Sequence, residues 1–248
     1  LERHKTLKNY IKAKFKLIRN QTKKDYAILN TNNFYIKRAT RFKKFLPKII
    51  KIQKHIDNKT LKKINNPYFN TEGNKENLFF VLHISKILKI KKNILFRTLN
   101  NFKGLKYRQQ IIYQSKNLTI INDSKATSFS SSESLLKSLS NVYWIVGGLA
   151  KKGDKFLLQK NDCKNFKVYI FGKNKVFFIN HLKQKIKLES FFDLKSLVNK
   201  VFQDIKVDKS HKTILFSPAA ASFDNFKNFE DRGIYFNSLV KKSINAKR

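Results

Sequence analysis

The chain has 248 residues, enough for one large domain or two ordinary ones, and 41% of them are hydrophobic, which allows a buried core. No apolar stretch approaches the roughly 18 residues that a membrane-spanning helix needs, so we expect no membrane insertion. The single cysteine, Cys163, excludes a disulfide framework and a cysteine-built zinc site. The chain contains no methionine, even at position 1, and we therefore expect it to be the downstream piece of a longer product.

The formal net charge is +38, and 46 of the 54 basic residues are lysine. Such a charge ordinarily indicates a nucleic-acid partner or another anionic surface. Proteins that read nucleic acid favour arginine, because its planar guanidinium makes paired hydrogen bonds. The lysines are spread along the whole chain among many Asn, Ile and Phe residues, and we favour drift of AT-rich codons as their cause. A nucleic-acid-binding protein without catalysis stays open as an alternative.

In the first hundred residues, apolar periodicity predicts three helices and one strand. The helices cover residues 5–20, Glu76–Leu88 and Lys92–Phe102, and the strand covers Tyr26–Asn30. Between residues 32 and 69 the sequence is rich in lysine and has no strong period, so we expect short strands and loops there.

From Gly104 onward, short apolar strands alternate with helical stretches. The predicted strands are Leu118–Asn122, Val142–Val146, Lys167–Phe171 and Thr213–Phe216. Three helices are also predicted: one that follows the serine cluster Ser128–Ser132, one over Ser190–Phe202 and one over Arg232–Ser243. This alternation is typical of an α/β fold with a mostly parallel sheet covered on both faces. We place a domain boundary at Gly104, between residues 1–103 and 104–248.

Polar residues follow three of these strands, at the edge where an open parallel sheet binds its ligands. They are Asp123, Lys125 and Thr127 after one strand, Gly147, Gly148 and Lys151 after the next, and Ser217 and Ser222 after the last. Lysines and hydroxyls near helix N-termini suit a carboxylate or a phosphate. Each loop alone would favour ordinary capping and turn residues, and only their common edge favours a binding site.

Lys14 lies on the apolar face of the first predicted helix, one turn after Tyr10. A lysine in such a place usually extends its ammonium group to water. The alternative is an amine that is neutral enough to be chemically modified.

Three segments of the second half, read together, resemble a known family: Ile121–Thr127, Gly147–Lys151 and Ser217–Gly233. They resemble the Mur ligase family, and the third resembles in particular its members that add D-glutamate. Three upstream segments are also similar to family motifs. Residues 1–14 resemble the stretch after an Asp-His pair, Gly73–Asn77 resembles a His-Asn-x-x-Asn helix start with Gly in place of His, and Gly104–Arg108 resembles Gly-Leu-Pro-His-Arg with Lys106 and Tyr107 departing.

The resemblance implies a Rossmann-like C-terminal domain, residues 104–248, preceded by the rear part of an α/β P-loop-type ATPase domain, residues 1–103. The chain would then lack the N-terminal domain and the P-loop and be inactive alone. Family members use ATP and Mg²⁺ to activate the carboxylate of UDP-N-acetylmuramoyl-L-alanine as an acyl phosphate, which the amine of D-glutamate attacks. The resemblance further implies a cytoplasmic bacterial enzyme of peptidoglycan precursor synthesis, a monomer when full length, that binds no nucleic acid. A sister ligase that adds another amino acid is the nearer alternative, although residues 223–233 speak against it.

The resemblance also implies roles for individual residues. Lys14 matches a carbamylated lysine whose carbamate helps to hold magnesium. Asn74, Arg108 and Asp123 match positions around the nucleotide. The positions around D-glutamate and the reacting phosphate are matched by Lys125, which would be catalytic, and by Thr127, Lys151, Ser222 and Phe229.

Overall fold

The computed structural model describes residues 4–41, 44–52, 57–206 and 210–245. The chain divides into two compact units, residues 1–102 and 103–248. Residues 1–3, the beginning of the first upstream similarity, lie outside the described residues.

The first unit is mainly helical, with one small parallel sheet. Its elements are α1 (Leu7–Arg19), β1 (Tyr26–Leu29), α2 (Phe34–Thr40), β2 (Lys48–Lys51), α3 (Asn58–Leu61), a 3₁₀ turn (Pro67–Asn70), α4 (Glu72–Ile87) and α5 (Lys92–Asn101). The two strands pair in parallel. Phe15 and Ile18 of α1 pack with Ala27 of β1 in a small buried cluster, so the apolar stripe that predicted α1 is the face that it buries.

Two expectations for this unit need correction. The helix predicted from Glu76 begins at Glu72, because the side chain of Thr71 caps it by accepting a hydrogen bond from the Asn74 N–H. The segment between residues 32 and 69 contains a short strand, β2, as predicted, but also two helices, α2 and α3, that were not predicted. The side chain of Asn33 caps the start of α2 by accepting hydrogen bonds from the Tyr35 and Ile36 N–H groups. Such a cap can begin a helix even where the sequence has no apolar periodicity.

The second unit is an α/β domain built on a six-stranded sheet. Its strands are β3 (Gln110–Gln114), β4 (Leu118–Asn122), β5 (Val142–Gly147), β6 (Phe166–Phe171), β7 (Lys187–Ser190) and β8 (Lys212–Phe216). Its helices are α6 (Phe129–Leu136), a 3₁₀ turn (Lys160–Cys163), α7 (Lys175–Leu182), α8 (Leu194–Asp204) and α9 (Phe229–Asn245). The predicted mostly parallel α/β fold is confirmed.

The strand order is β3-β4-β8-β5-β6-β7, and every neighbouring pair except β3-β4 is parallel. The last strand, β8, therefore lies between β4 and β5. Because parallel strands end at the same edge, the three loops that carry the predicted polar residues leave the sheet side by side.

Both faces of the sheet are buried, which explains why its central strands are almost continuously apolar. Along β5, Val142, Trp144 and Val146 enter the cluster on one face, while Tyr143 and Ile145 enter the cluster on the other. This alternation is the two-residue period of a strand expressed on two apolar faces.

Two helix predictions in this unit were wrong at their start. Helix α9, predicted from Arg232, begins at Phe229. Ser190, predicted to begin a helix, ends the edge strand β7 instead. Helix α8 begins at Leu194, after Asp193, whose carboxylate accepts a hydrogen bond of 2.7 Å from the Ser196 N–H. The amphipathic face of the helix was predicted correctly, and its Leu194, Leu197 and Val201 are buried.

Candidate functional site

The loops after β4, β5 and β8 are joined by backbone hydrogen bonds at the carboxyl edge of the sheet. The Asp123 N–H, just after β4, donates to the Phe216 carbonyl of β8 over 2.7 Å, and the Gly147 N–H donates to the Pro218 carbonyl over 2.9 Å. Leu149 and Ala221 exchange two bonds of 2.9 Å each, a short antiparallel bridge. The predicted convergence of three loops is therefore a feature of the backbone itself.

Gly147 and Gly148 allow this close approach. Gly147 has a φ of +144°, and a Cβ there would overlap the carbonyl group of Phe171 on the neighbouring strand. A Cβ on Gly148, with a φ of +127°, would meet the Ala221 carbonyl oxygen. The paired glycines are thus required for loop packing, besides any contact that their N–H groups make with a ligand.

Asp123 is a buried carboxyl group at the end of β4. It accepts hydrogen bonds from the Ser217 hydroxyl at 2.9 Å and the Gln109 N–H at 3.1 Å. Burial raises the pKa of Asp123 to about 6, while these two donors and the nearby Arg108 guanidinium act in the opposite direction. Trp144 supports the same point of the sheet, since its indole N–H donates to the Ser217 carbonyl over 2.7 Å.

Lys125 is held over an aromatic ring. Its Nζ lies 3.7 Å from the centroid of the Phe229 ring, a cation–π contact with the first residue of α9. Backbone contacts position both residues. The Lys125 N–H donates to the Tyr107 carbonyl over 3.0 Å, and the Phe229 carbonyl accepts from the Ser124 hydroxyl over 2.8 Å. The ring therefore aims the ammonium group of Lys125, in addition to packing.

Thr127, Lys151 and Ser222 extend from the same joined loops. Thr127 and Lys151 are exposed, and Ser222, directly after Ala221 of the bridge, is buried. Asp154 joins the first two loops, because its carboxylate accepts from the Phe129 N–H and its own N–H donates to the Lys151 carbonyl. The structure thus places these side chains on adjoining segments of one edge.

Arg232 of α9 is a residue that the sequence reasoning missed. It has 0% exposure, and its guanidinium donates to the Ser124 hydroxyl at 3.0 Å, the Ser124 carbonyl at 2.7 Å and the Ala220 carbonyl at 3.0 Å. Its third nitrogen, Nη1, is buried without a partner among the described residues. Burial lowers the pKa of Arg232 to about 10, and the carboxylate of Asp224 opposes that shift. Arg232 thus ties the loop after β4 to the loop after β8.

Two signals could have identified Arg232. It is one of only eight arginines, whereas the other 46 basic residues of the chain are lysine. Codon drift that enriches lysine does not explain why an arginine stands at this position. It also lies inside the segment 217–233 that carried the resemblance, next to Gly233.

The three other predicted residues lie in different settings. Arg108 is exposed, next to Gln109, whose N–H binds Asp123. In the first unit, Asn74 is buried, and its side-chain amide donates to the Tyr68 carbonyl over 2.8 Å, so it serves the fold of that unit. Lys14 is exposed, with its Nζ 5.5 Å from the Tyr10 ring centroid, at an apolar cavity of about 530 Å³.

The donor set does not fit a metal site by itself. Within residues 4–41, 44–52, 57–206 and 210–245, no three side chains of His, Cys, Asp or Glu are grouped so that they could hold a metal ion. Lys14, the residue matched to a magnesium-supporting carbamate, has an aromatic neighbour and no carboxylate partner within the described ranges. We therefore derive no chemical step through magnesium.

None of the helices in the described part of the chain is long and apolar enough to cross a membrane.

Comparisons with known proteins agree with this architecture. The family model described as "Mur ligase middle domain" matches residues 1–103. The chain is 29% identical, over 98% of its length, to the UDP-N-acetylmuramoylalanine–D-glutamate ligase of Rickettsia prowazekii (strain Madrid E), and 33% identical, also over 98%, to that of Prochlorococcus marinus (strain MIT 9312). It covers 58% and 56% of these two relatives, so it spans little more than half of their length.

A solved structure of UDP-N-acetylmuramoyl-L-alanyl-D-glutamate–2,6-diaminopimelate ligase matches 98% of the chain and 57% of its own length, with a TM-score of 0.51 at 15% identity. At that identity the likeness shows a common fold. Taken with the family model over residues 1–103 and the similarity of nearly the whole chain to two ligases, it leads to one assignment: the chain belongs to the Mur ligase family.

Proposed function

We propose that this chain carries the acceptor half of an ATP-dependent ligase that joins D-glutamate to UDP-N-acetylmuramoyl-L-alanine in the bacterial cytoplasm. The observation that supports the proposal most is the joining of the loops after β4, β5 and β8 at one edge of the sheet. That edge gathers the side chains that a dicarboxylate amino acid requires, two ammonium groups and two hydroxyls.

In this proposal, Lys125 and Lys151 neutralise the carboxylates of D-glutamate and the charge that develops on the departing phosphate. The hydroxyls of Thr127 and Ser222 donate hydrogen bonds that fix the orientation of the amino acid. Phe229 holds the Lys125 ammonium group in place, as its 3.7 Å contact indicates.

The chemistry follows from holding the amine next to an activated carbonyl. ATP transfers its γ-phosphoryl group to the carboxylate of UDP-N-acetylmuramoyl-L-alanine, giving ADP and an acyl phosphate. The nitrogen of D-glutamate attacks the acyl carbon, a C–N bond forms, the C–O bond to phosphate breaks and the amine loses a proton. The products are the amide, ADP and inorganic phosphate.

We further propose that residues 1–103 are the rear part of the central ATP-binding domain and residues 104–248 the C-terminal domain of such a ligase. Asn74, Arg108 and Asp123 would lie near the nucleotide. The hydrogen bond from the Asn74 amide to Tyr68 means that Asn74 would act there by shaping the loop before α4. Lys14, exposed on α1, would be accessible to carbon dioxide and form the carbamate.

A chimera tests this function. In it, the present chain replaces the 58% of the R. prowazekii ligase that it matches. The rest of that ligase supplies the front of the enzyme. We expect phosphate release that requires ATP, UDP-N-acetylmuramoyl-L-alanine and D-glutamate together. Lys151→Ala and Ser222→Ala should each raise the KM for D-glutamate about tenfold or more, since a lost charge-assisted hydrogen bond costs roughly 1.5–3 kcal/mol, and leave the KM for ATP nearly unchanged.

Lys195→Ala provides the matched control, because Lys195 is an exposed lysine in the first turn of α8, after β7, and is not part of the three joined loops. A folded chimera that uses a different amino acid better than D-glutamate would favour a sister ligase. Equal effects of Lys195→Ala and Lys151→Ala would contradict the assigned acceptor site.

A further inference from the structure

A second basic site lies at the opposite edge of the sheet, where the strands begin. A cavity of about 600 Å³ is lined there by 14 residues, of which seven are lysine and none is Asp or Glu. Lys167 is in β6, Lys187 begins β7 and Lys212 begins β8. This edge is distinct from the one that carries Lys125 and Ser222, since those residues follow the carboxyl ends of their strands.

The lining is richer in lysine than the chain as a whole. Lys and Arg together occupy 54 of 248 positions, about a fifth, whereas lysine alone occupies half of the lining. The cavity beside Lys14, of about 530 Å³, has 15 lining residues and a single lysine among them. A cavity of about 640 Å³ beside α1 and α2 also has four basic residues among its nine lining residues. What distinguishes the present cavity is the number of its lysines and the fixed positions of Lys185 and Lys212.

The register of the sheet places two of these lysines side by side. Lys167 and Lys187 are direct partners in the parallel β6-β7 pair, and both are exposed. Neighbouring strands lie about 4.8 Å apart, so the two side chains leave the same face as close neighbours. Like charges in such a pair repel each other. The protein offsets this for Lys167 through the Tyr143 ring, 5.6 Å from its Nζ, and the charge of Asp204, and a bound anion would offset it for Lys187.

Other lysines of the lining are held in place by the protein. The Lys185 Nζ donates to the carbonyls of Phe156 and Leu158, at 3.1 and 2.8 Å, and the Lys212 Nζ donates to the Ser210 carbonyl at 2.9 Å. Lys212 is only 3% exposed. These hydrogen-bonded cations and the exposed lysines of the lining together form a concave surface that suits a compact anion with several charges.

We propose that this cavity, the amino-edge cavity, binds a condensed phosphate, either inorganic polyphosphate or the triphosphate of a nucleotide. Its volume suits a ligand of a few phosphate groups, and lysines of β6, β7 and the 3₁₀ turn all line it. The site is independent of the proposed ligase function, because it uses none of the residues of the carboxyl edge.

The test is calorimetric titration of the 248-residue chain with sodium tripolyphosphate and, separately, with ATP. The cavity variant is the triple change Lys164→Gln, Lys183→Gln and Lys187→Gln, three exposed lining lysines. The control is Lys195→Gln, Lys241→Gln and Lys242→Gln, which removes the same charge from exposed positions outside the lining. We expect the cavity variant to weaken tripolyphosphate binding at least about tenfold and the control less than about threefold.

Comparing the two ligands identifies the kind of condensed phosphate that the cavity binds. Tighter binding of tripolyphosphate indicates inorganic polyphosphate. Tighter binding of ATP that the cavity variant abolishes indicates a nucleotide. A single charge reversal, Lys183→Glu, provides a second variant with the same expected direction. Equal weakening by the two triple variants, or no binding of either ligand, would overturn the proposal. So would a cavity that binds an RNA oligonucleotide but not tripolyphosphate.

Discussion

The buried carboxyl group of Asp123 should make the stability of the second unit depend on pH in an unusual direction. Its pKa is raised from 3.8 to about 6 in the folded protein, mainly by burial. Between these two values the folded unit binds more protons than the unfolded chain, so the free energy of unfolding falls as pH rises through that interval. A difference of about two pKa units corresponds to about 3 kcal/mol. The variant Asp123→Asn lacks the titrating group and should lose this component.

Urea unfolding measures the effect, and the protein supplies its own probe. Trp144 is the only tryptophan of the chain, is fully buried in the second unit and donates to the Ser217 carbonyl beside Asp123. Between about pH 3.5 and pH 7, we expect the variant to gain about 3 kcal/mol relative to the parent protein. A difference between the two proteins that stays constant over this range would refute the reasoning.

Asp193→Asn is a control with the opposite sign. The pKa of Asp193 is lowered, chiefly by the hydrogen bond from the Ser196 N–H. This exposed cap therefore stabilises the fold above its unfolded pKa, and its contribution is lost as pH falls through the folded value. The parent protein should be more stable than Asp193→Asn at neutral pH, and this difference should shrink in acid.

Three further predictions concern single residues. Gly147→Ala should prevent stable folding of the second unit, because its Cβ overlaps a backbone carbonyl, whereas Gly153→Ala, with a φ of +76° but nothing within 4 Å, should cost only about 1–2 kcal/mol in the same urea assay. Arg232→Met should cost about 2–5 kcal/mol, since two buried carbonyls lose their donor, and a loss below about 1 kcal/mol would contradict its linking role. In ¹³C-bicarbonate at one fixed pH, NMR should show a carbamate signal that is weaker in Lys14→Gln than in Lys12→Gln; signals equal in both variants would remove Lys14 from that role.

The parallel sheet could be predicted from the sequence because its central strands are buried on both faces. A strand such as Val142–Gly147 must then be continuously apolar, and such runs are visible without any alignment. The convergence of the polar loops follows from the same fact, since parallel strands end at one edge.

The edges of the sheet could not be predicted in this way. The edge strand Lys187–Ser190 is largely exposed, with alternating charged residues, so it has no apolar run. Strand Gln110–Gln114 is an edge strand with an irregular register, and the apolar residues of helix Lys175–Leu182 do not follow a helical stripe. Pairing with a neighbour, rather than local pattern, determines these elements.

The site was predictable only as far as its side chains follow strands. Asp123 and Lys125 could be found because they occupy strand ends. The role of Arg232 depends on contacts with Ser124 and Ala220, which precede it by 108 and 12 positions in the sequence. No local pattern therefore indicates that role. The buried setting of Asn74 likewise depends on packing against the preceding 3₁₀ turn.

Saturation-transfer NMR is the most direct test of the central claim. It measures binding of D-glutamate to the 248-residue chain, with L-glutamate as the comparison. The account predicts transfer to D-glutamate that exceeds transfer to L-glutamate, that weakens about tenfold or more in Ser222→Ala and Lys151→Gln, and that is unchanged in Lys195→Gln. Equal transfer to both enantiomers, or transfer to D-glutamate that persists undiminished in both site variants, would contradict the assignment of the carboxyl edge as the acceptor site.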